Sequence, residues 1–208
     1  MKQENDNRFW DSFAGKYDKF IANFANETYV KLLKLMEQEI SLNSKVLEIG
    51  TGTGIISFAI ADKVKSITAI DYAPEMIKLA NSKLVDSNFN NIEFKVNSAT
   101  NIEQQDKSFD VIIACNIFHL LPEPEKTLEE IIRLLTDNGK VILPTYCHGQ
   151  NIKTRFISGM MSLSGFKAVN KWSLKLFRKF VEYNGLTIEK EEIIKDKIPL
   201  SFIVASKN

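Results

Sequence analysis

The run Val46-Leu47-Glu48-Ile49-Gly50-Thr51-Gly52-Thr53-Gly54 constrains this chain more than any other stretch. An apolar strand over 46–49 runs into glycines at three alternate positions, and an apolar helical run, 55–60, follows at once. A strand that ends in a glycine turn and opens a helix lets backbone press against a ligand, because glycine has no side chain in the way and tolerates positive φ. Unpaired N–H groups and partial positive charge at the helix start suit an anionic group. The turn is therefore a cradle for a nucleotide-like cofactor.

Strand and helix patterns alternate from there. A strand over 66–70 ends at Asp71, and Pro74 sits at the first turn of a helix reaching about 86. A strand over 91–96 leads to Ser98, and 109–115 is the near-continuous apolar run of a strand buried on both faces. A helix over 123–135 stops near Asn138-Gly139, ahead of a strand over 140–143. Such alternation predicts a parallel sheet covered on both faces, with ligands at the carboxyl ends of its strands.

Two helical patterns precede this core: Phe9, Trp10, Phe13, Tyr17, Phe20, Ile21 and Phe24 at spacings of three and four, then a helix over 27–40. A helical insert over 151–166, a helix over 172–183 and strands over 186–194 and 199–205 follow it. Lys195-Asp196-Lys197 joins the last two strands as a hairpin, so the sheet ends antiparallel. The expected fold is a Rossmann-like, doubly wound α/β sheet of seven strands, mostly parallel. It forms a single domain, 1–208, divided into N-terminal helices (1–43), a cofactor-binding core (44–145), a helical insert or lid (146–170) and a last helix with hairpin strands (171–208).

Net charge is +1, so nothing global calls for nucleic acid. Two cysteines, Cys115 and Cys147, read as reduced thiols in a cytoplasmic protein. The polar start, 1–11, lacks the apolar region of a signal peptide, and no apolar stretch is long enough to span a bilayer. Two histidines and two cysteines without ligand spacing predict no metal site.

The glycine spacing selects among cofactors. A dinucleotide fingerprint places its third glycine at position 55, which is Ile55. Glu48-x-Gly50-x-Gly52-x-Gly54 instead resembles the first motif of class I S-adenosylmethionine-dependent methyltransferases. Asp71-Tyr72-Ala73-Pro74-Glu75-Met76 resembles their D-x-[SA]-x-x-[ML] segment, Phe109-Asp110-Val111-Ile112 their F-D-x-[VI] opening, and Leu135-Thr136-Asp137-Asn138-Gly139-Lys140 their L-x-P-G-G-x turn. Trp10-Asp11-x-x-Ala14-x-x-Tyr17-Asp18 is similar to a segment of the ubiquinone/menaquinone C-methyltransferase and phospholipid N-methyltransferase-like branch.

The resemblance implies S-adenosylmethionine as methyl donor and S-adenosylhomocysteine as product. It implies that Asp71 takes the ribose hydroxyls, that Tyr72 and Met76 lie near the adenine, and that Tyr17 lies over the cofactor. Glu48, Gly50, Thr51, Gly52, Gly54, Ser98, Ala99, Cys115 and Asn116 complete the implied cofactor set. Ser98-Ala99 stands where relatives often carry Asp, and a hydroxyl accepts less strongly than a carboxylate. N–H groups from Gly52 to Ile55 are expected to face the methionine carboxylate.

Methyl transfer from an activated sulfonium asks mainly for alignment and water exclusion, and for a base only where the nucleophile must lose a proton. His119, Tyr146, His148 and Tyr17 are the candidates, each weighed against a purely structural role. Phe156, Met160, Met161 and Phe166 of the insert read either as core or lid packing or as an apolar substrate wall. Lys171, Lys175, Arg178 and Lys179 read as a solvated face or as a contact for anionic lipid. The expected partner is a small-molecule acceptor; Ala114-Cys115-Asn116-Ile117 lacks the prolines of nucleic-acid and glutamine N-methyltransferases. The oligomeric state stays open. A membrane-touching phospholipid or quinone-precursor methyltransferase, and a cofactor-binding protein without turnover, are the alternatives.

Overall fold

Four of the five residues of β1 (Lys45–Ile49) are buried, as its apolar sequence requires. A computed structural model describes residues 2–163 and 165–208, with backbone alone for 2–7; Met1 of the N-terminal segment and Ser164 of the insert lie outside the described residues. The chain divides into two units, Met1–Glu103 and Gln104–Asn208.

The first unit contains α1 (Lys2–Phe24), α2 (Asn26–Glu37), β1, α3 (Ile55–Ile60), β2 (Ser66–Asp71), α4 (Pro74–Val85) and β3 (Ile92–Val96). Strands β1, β2 and β3 pair in parallel, with Val46 opposite Ile67 and Asp71 opposite Val96. The glycine turn, Asp71 and Ser98 therefore all follow carboxyl ends of adjacent strands. Helix α3 spans the six residues of the apolar run over 55–60 and tightens into a 3-10 turn at Ala61–Lys63. Helix α1 packs on α4 through Ala14, Ala73 and Met76, with Trp10, Tyr17 and Leu79 at the margin.

The second unit contains β4 (Phe109–Ile113), α5 (Pro124–Leu134), β5 (Leu135–Tyr146), α6 (Ile152–Ser162), α7 (Leu174–Tyr183), β6 (Leu186–Ile194) and β7 (Leu200–Lys207). Strand β5 starts five residues before the expected 140, because Leu135 already pairs with Phe109 while Lys140 pairs with Val111. The intervening Thr136-Asp137-Asn138-Gly139 is thus a bulge inside a longer strand rather than a turn before a short one. Strand β7 runs antiparallel to both β5 and β6, as the hairpin reading requires. Helix α7 starts at Leu174, so Trp172 and Lys171 precede the helix they were expected to share.

Seven strands make one mixed sheet in the order β3-β2-β1-β4-β5-β7-β6, the Rossmann-like arrangement expected. Among the described residues no helix is long and apolar enough to cross a membrane.

Candidate active site

In the first unit the glycine turn is built around two carboxylates. Glu48 is 2% exposed and sits beneath the loop. Its Oε2 accepts from Thr51 Oγ1 at 2.8 Å and from Ser57 Oγ, which ties the turn to the first residues of α3. Burial, opposed by those hydroxyls, pushes its pKa up to about 7. Glu48 and Thr51 were expected to touch the cofactor; here each is the other's partner.

Asp71 is the second carboxylate. Oδ2 accepts from Gly52 N–H at 2.8 Å and Oδ1 from Ala73 N–H at 2.9 Å. One side chain thereby fixes the glycine turn and the residue that opens α4. The Gly52 N–H, expected to face a methionine carboxylate, is committed to Asp71 instead. The carboxylate keeps acceptor capacity beyond the Gly52 and Ala73 N–H groups, which hydroxyl donors could use. Burial raises its pKa, and the N–H groups of Ala73, Gly52 and Tyr72 oppose the rise.

The glycines follow from this geometry. Gly54 has φ of +83°, and a Cβ there would stand 2.7 Å from Phe94 Cζ. Gly52 has φ of +56°, and its bare face looks at the Tyr17 ring, whose Cε1 would be 3.5 Å from a Cβ, with Met76 Sδ at 4.0 Å. Tyr17 thus lies over the turn, its hydroxyl 3.3 Å from that of Tyr29. Met76 is buried behind it and Tyr72 is exposed. Ser98 Oγ is engaged locally with Thr100 Oγ1 at 3.0 Å, and Ala99 is half-buried beside it.

Two residues of the α1 motif, not counted among the site candidates, also hold the turn and α4 in place. Asp18 accepts from Thr53 Oγ1 of the turn and pairs with Lys83 Nζ at 3.0 Å. Asp11 Oδ1 accepts from Glu75 N–H at 3.1 Å, capping α4 from another helix. Their signal was their spacing: positions 11, 14 and 18 share one face of α1 with Ala14.

In the second unit β4 and β5 deliver the other candidates from their carboxyl ends. Asn116 has φ of +56°, and its Oδ1 is buried without a partner among the described residues. Cys115, also placed in the cofactor set, is buried beside it. His119 and His148 are 3% and 1% exposed, and their ring centroids lie 4.9 Å apart. Phe166 lies 5.9 Å from His119 and 5.8 Å from His148, and Tyr146 lies 6.4 Å from each. Among the described residues, His119 Nδ1 and both nitrogens of His148 are buried with no hydrogen-bond partner. Burial holds His119 well below the ordinary histidine range, with His148 adding to the effect. Burial and then Lys171 bring His148 down to about 4.

Phe166 of the insert joins this cluster, while Phe156 and Met160 are exposed. Tyr17 belongs to the first unit, where its ring lies over the glycine turn. Among the described residues no group of three or more His, Cys, Asp or Glu is arranged to hold a metal ion.

A family described as a methyltransferase domain matches residues 40–191. The chain belongs to this family. It is a class I S-adenosylmethionine-dependent methyltransferase, as the order of its motifs implied. The methyltransferase is similar to the ubiquinone/menaquinone biosynthesis C-methyltransferase UbiE of Rickettsia massiliae, 28% identical over 99% of this chain and 78% of that one. The same-named enzyme of Rickettsia bellii is 32% identical over 68% of this chain and 60% of its own length. A solved complex between the Haloferax volcanii Trm112 methyltransferase activator and a methyltransferase superposes with a TM-score of 0.83 at 19% identity, covering 97% of this chain and 96% of the other. That likeness is one of fold.

Proposed function

We propose that residues 1–208 act as one methyltransferase domain that moves a methyl group from S-adenosylmethionine to a small, partly apolar molecule. The anchoring of Asp71 supports this reading most: a carboxylate fixed by two N–H groups, with acceptor capacity left, at the edge of a turn whose bare glycine face an aromatic ring covers. That donor and acceptor set fits a ribose and an adenine-like plane. Asp71 takes the ribose hydroxyls, Tyr72, Ser98 and Ala99 attend the base, and Tyr17, Gly50, Gly52 and Gly54 form the wall. Glu48, Thr51 and Met76 hold that wall in place. In the second unit Cys115 and Asn116 are the proposed cofactor residues, and the orphaned Asn116 Oδ1 can accept from a bound group.

S-adenosylmethionine supplies a methyl group already activated on a sulfonium. The chain's own residues bind it, exclude water and align the nucleophile. His148, with a pKa of about 4, is uncharged at neutral pH, with one ring nitrogen protonated and the other an acceptor. Taking a further proton from a phenol-like group of pKa about 10 would be uphill by about 8 kcal/mol, six units at about 1.36 each. The histidine pair therefore acts through hydrogen bonds that align the acceptor, with Tyr146 and Phe166 as its apolar surround, rather than as a resting base. Unbridged Cys115 and Cys147 agree with a reducing, cytoplasmic setting.

Transfer of labelled methyl from S-adenosylmethionine to a panel of phenolic, amine and quinol acceptors tests the reading. Labelled product with the wild type and its loss in Asp71→Ala are expected. Cofactor binding without label on any acceptor would assign the chain to binding without turnover.

A further inference from the structure

Helix α6 presents its more apolar side to solvent. Ile152, Phe156, Met160 and Leu163 are 87%, 67%, 51% and 88% exposed. The side that faces the protein carries Thr154, Ile157, Ser158 and Met161, two of them hydroxyl residues. At about 100° per residue the four exposed side chains fall within an arc of about 80°. The helix does not depend on burying that arc for its shape. Its own capping box closes it, with Asn151 Oδ1 accepting from Thr154 N–H at 2.9 Å and Thr154 Oγ1 accepting from Asn151 N–H at 3.0 Å.

Charge in this part of the sequence is one-sided. Residues 138–181 hold eight of the chain's 27 basic residues and none of its 26 acidic ones. Lys153 and Arg155 flank the arc on α6, and Lys167 and Lys171 follow it. None of these four holds an ion pair among the described residues. A second copy of the chain would bring the same cations against themselves, which disfavours a symmetric contact here.

We propose that α6 is an interfacial anchor that lies in the surface of an anionic lipid bilayer. Ile152, Phe156, Met160 and Leu163 enter the acyl boundary, while Lys153 and Arg155 reach the headgroups. One helix of three turns gives a weak, reversible and salt-sensitive contact. The inference goes beyond the methyltransferase reading and does not depend on it.

Flotation of the full chain with vesicles tests it, using phosphatidylcholine alone and phosphatidylcholine with about a third phosphatidylglycerol. The wild type is expected to float with the anionic vesicles only, and to be released by salt. Phe156→Ser with Leu163→Ser, and separately Lys153→Glu with Arg155→Glu, should each weaken vesicle affinity about tenfold or more. Circular dichroism reports folding, and if the apolar double variant is unfolded the charge-reversed one carries the test. Wild-type chain left unbound at low salt would overturn the proposal, as would a folded charge-reversed variant that floats like wild type. So would a dimer in sedimentation velocity that Phe156→Ser with Leu163→Ser dissociates. Affinity for S-adenosylhomocysteine should be the same in all variants, so loss of lipid binding and loss of the cofactor site read separately.

Discussion

The two units treat buried polar groups in opposite ways. In the first, both carboxylates of the glycine turn, buried Glu48 and half-buried Asp71, are spoken for: Glu48 by Thr51 and Ser57, Asp71 by Gly52 and Ala73. In the second, His119 Nδ1, both nitrogens of His148 and Asn116 Oδ1 have no partner among the described residues. An unsatisfied buried polar group costs about 1–3 kcal/mol, so such a cluster persists where function requires it. The first unit is a prebuilt cradle whose own hydrogen bonds fix its shape. On the proposed reading, the second holds polar atoms that an acceptor would engage.

The difference should appear most strongly in how stability depends on pH. His148 is lowered to about 4, so its contribution is fully present above the unfolded value near 6.5 and is lost as pH falls through that window. Relative to wild type, His148→Phe should gain about 3 kcal/mol as pH falls from about 6.5 to about 4. Glu48 is raised to about 7, so its contribution is present below about 4.5 and is lost as pH rises through 7. Glu48→Gln should therefore gain on wild type by about 3 kcal/mol in the other direction. Urea unfolding at several pH values reads both; curves that stay parallel to wild type would remove the contrast between the units.

Function should divide along the same line. Asp71→Ala should weaken S-adenosylhomocysteine binding by about 1–3 kcal/mol, the range for lost charged hydrogen bonds. Unchanged affinity in calorimetry would take Asp71 out of the site. His148→Phe should leave that affinity alone while slowing methyl transfer about tenfold or more, because it removes alignment rather than the donor. A smaller effect is expected from Asp18→Ala, which frees Thr53 and Lys83. Cofactor affinity should fall by about 0.5–1 kcal/mol, with a wild-type melting profile for the rest of the chain.

These contrasts also mark what could be read from sequence. The Val46–Gly54 run, Asp71 at the end of β2, and the hairpin after Lys195 were legible because each rests on local rules of strand, turn and helix start. Glu48 was legible as a position and not as a role, since sequence does not reveal that its carboxyl turns under the loop to Thr51 and Ser57. The early start of β5 at Leu135 was hidden because a bulge depends on the partner strand. The approach of His119 to His148 depends on two strands and on Phe166, a separation no periodicity reports. The exposure of Phe156 and Leu163 was equally invisible, since apolar residues at helical spacing ordinarily predict burial.

Isothermal titration of the wild-type chain with S-adenosylhomocysteine and with NAD, repeated on Asp71→Ala, bears most directly on the glycine turn as a methyl-donor cradle. Saturable binding of S-adenosylhomocysteine, weakened in Asp71→Ala, and no heat from NAD are expected. Binding of NAD alone, or S-adenosylhomocysteine affinity that ignores Asp71, would contradict the account.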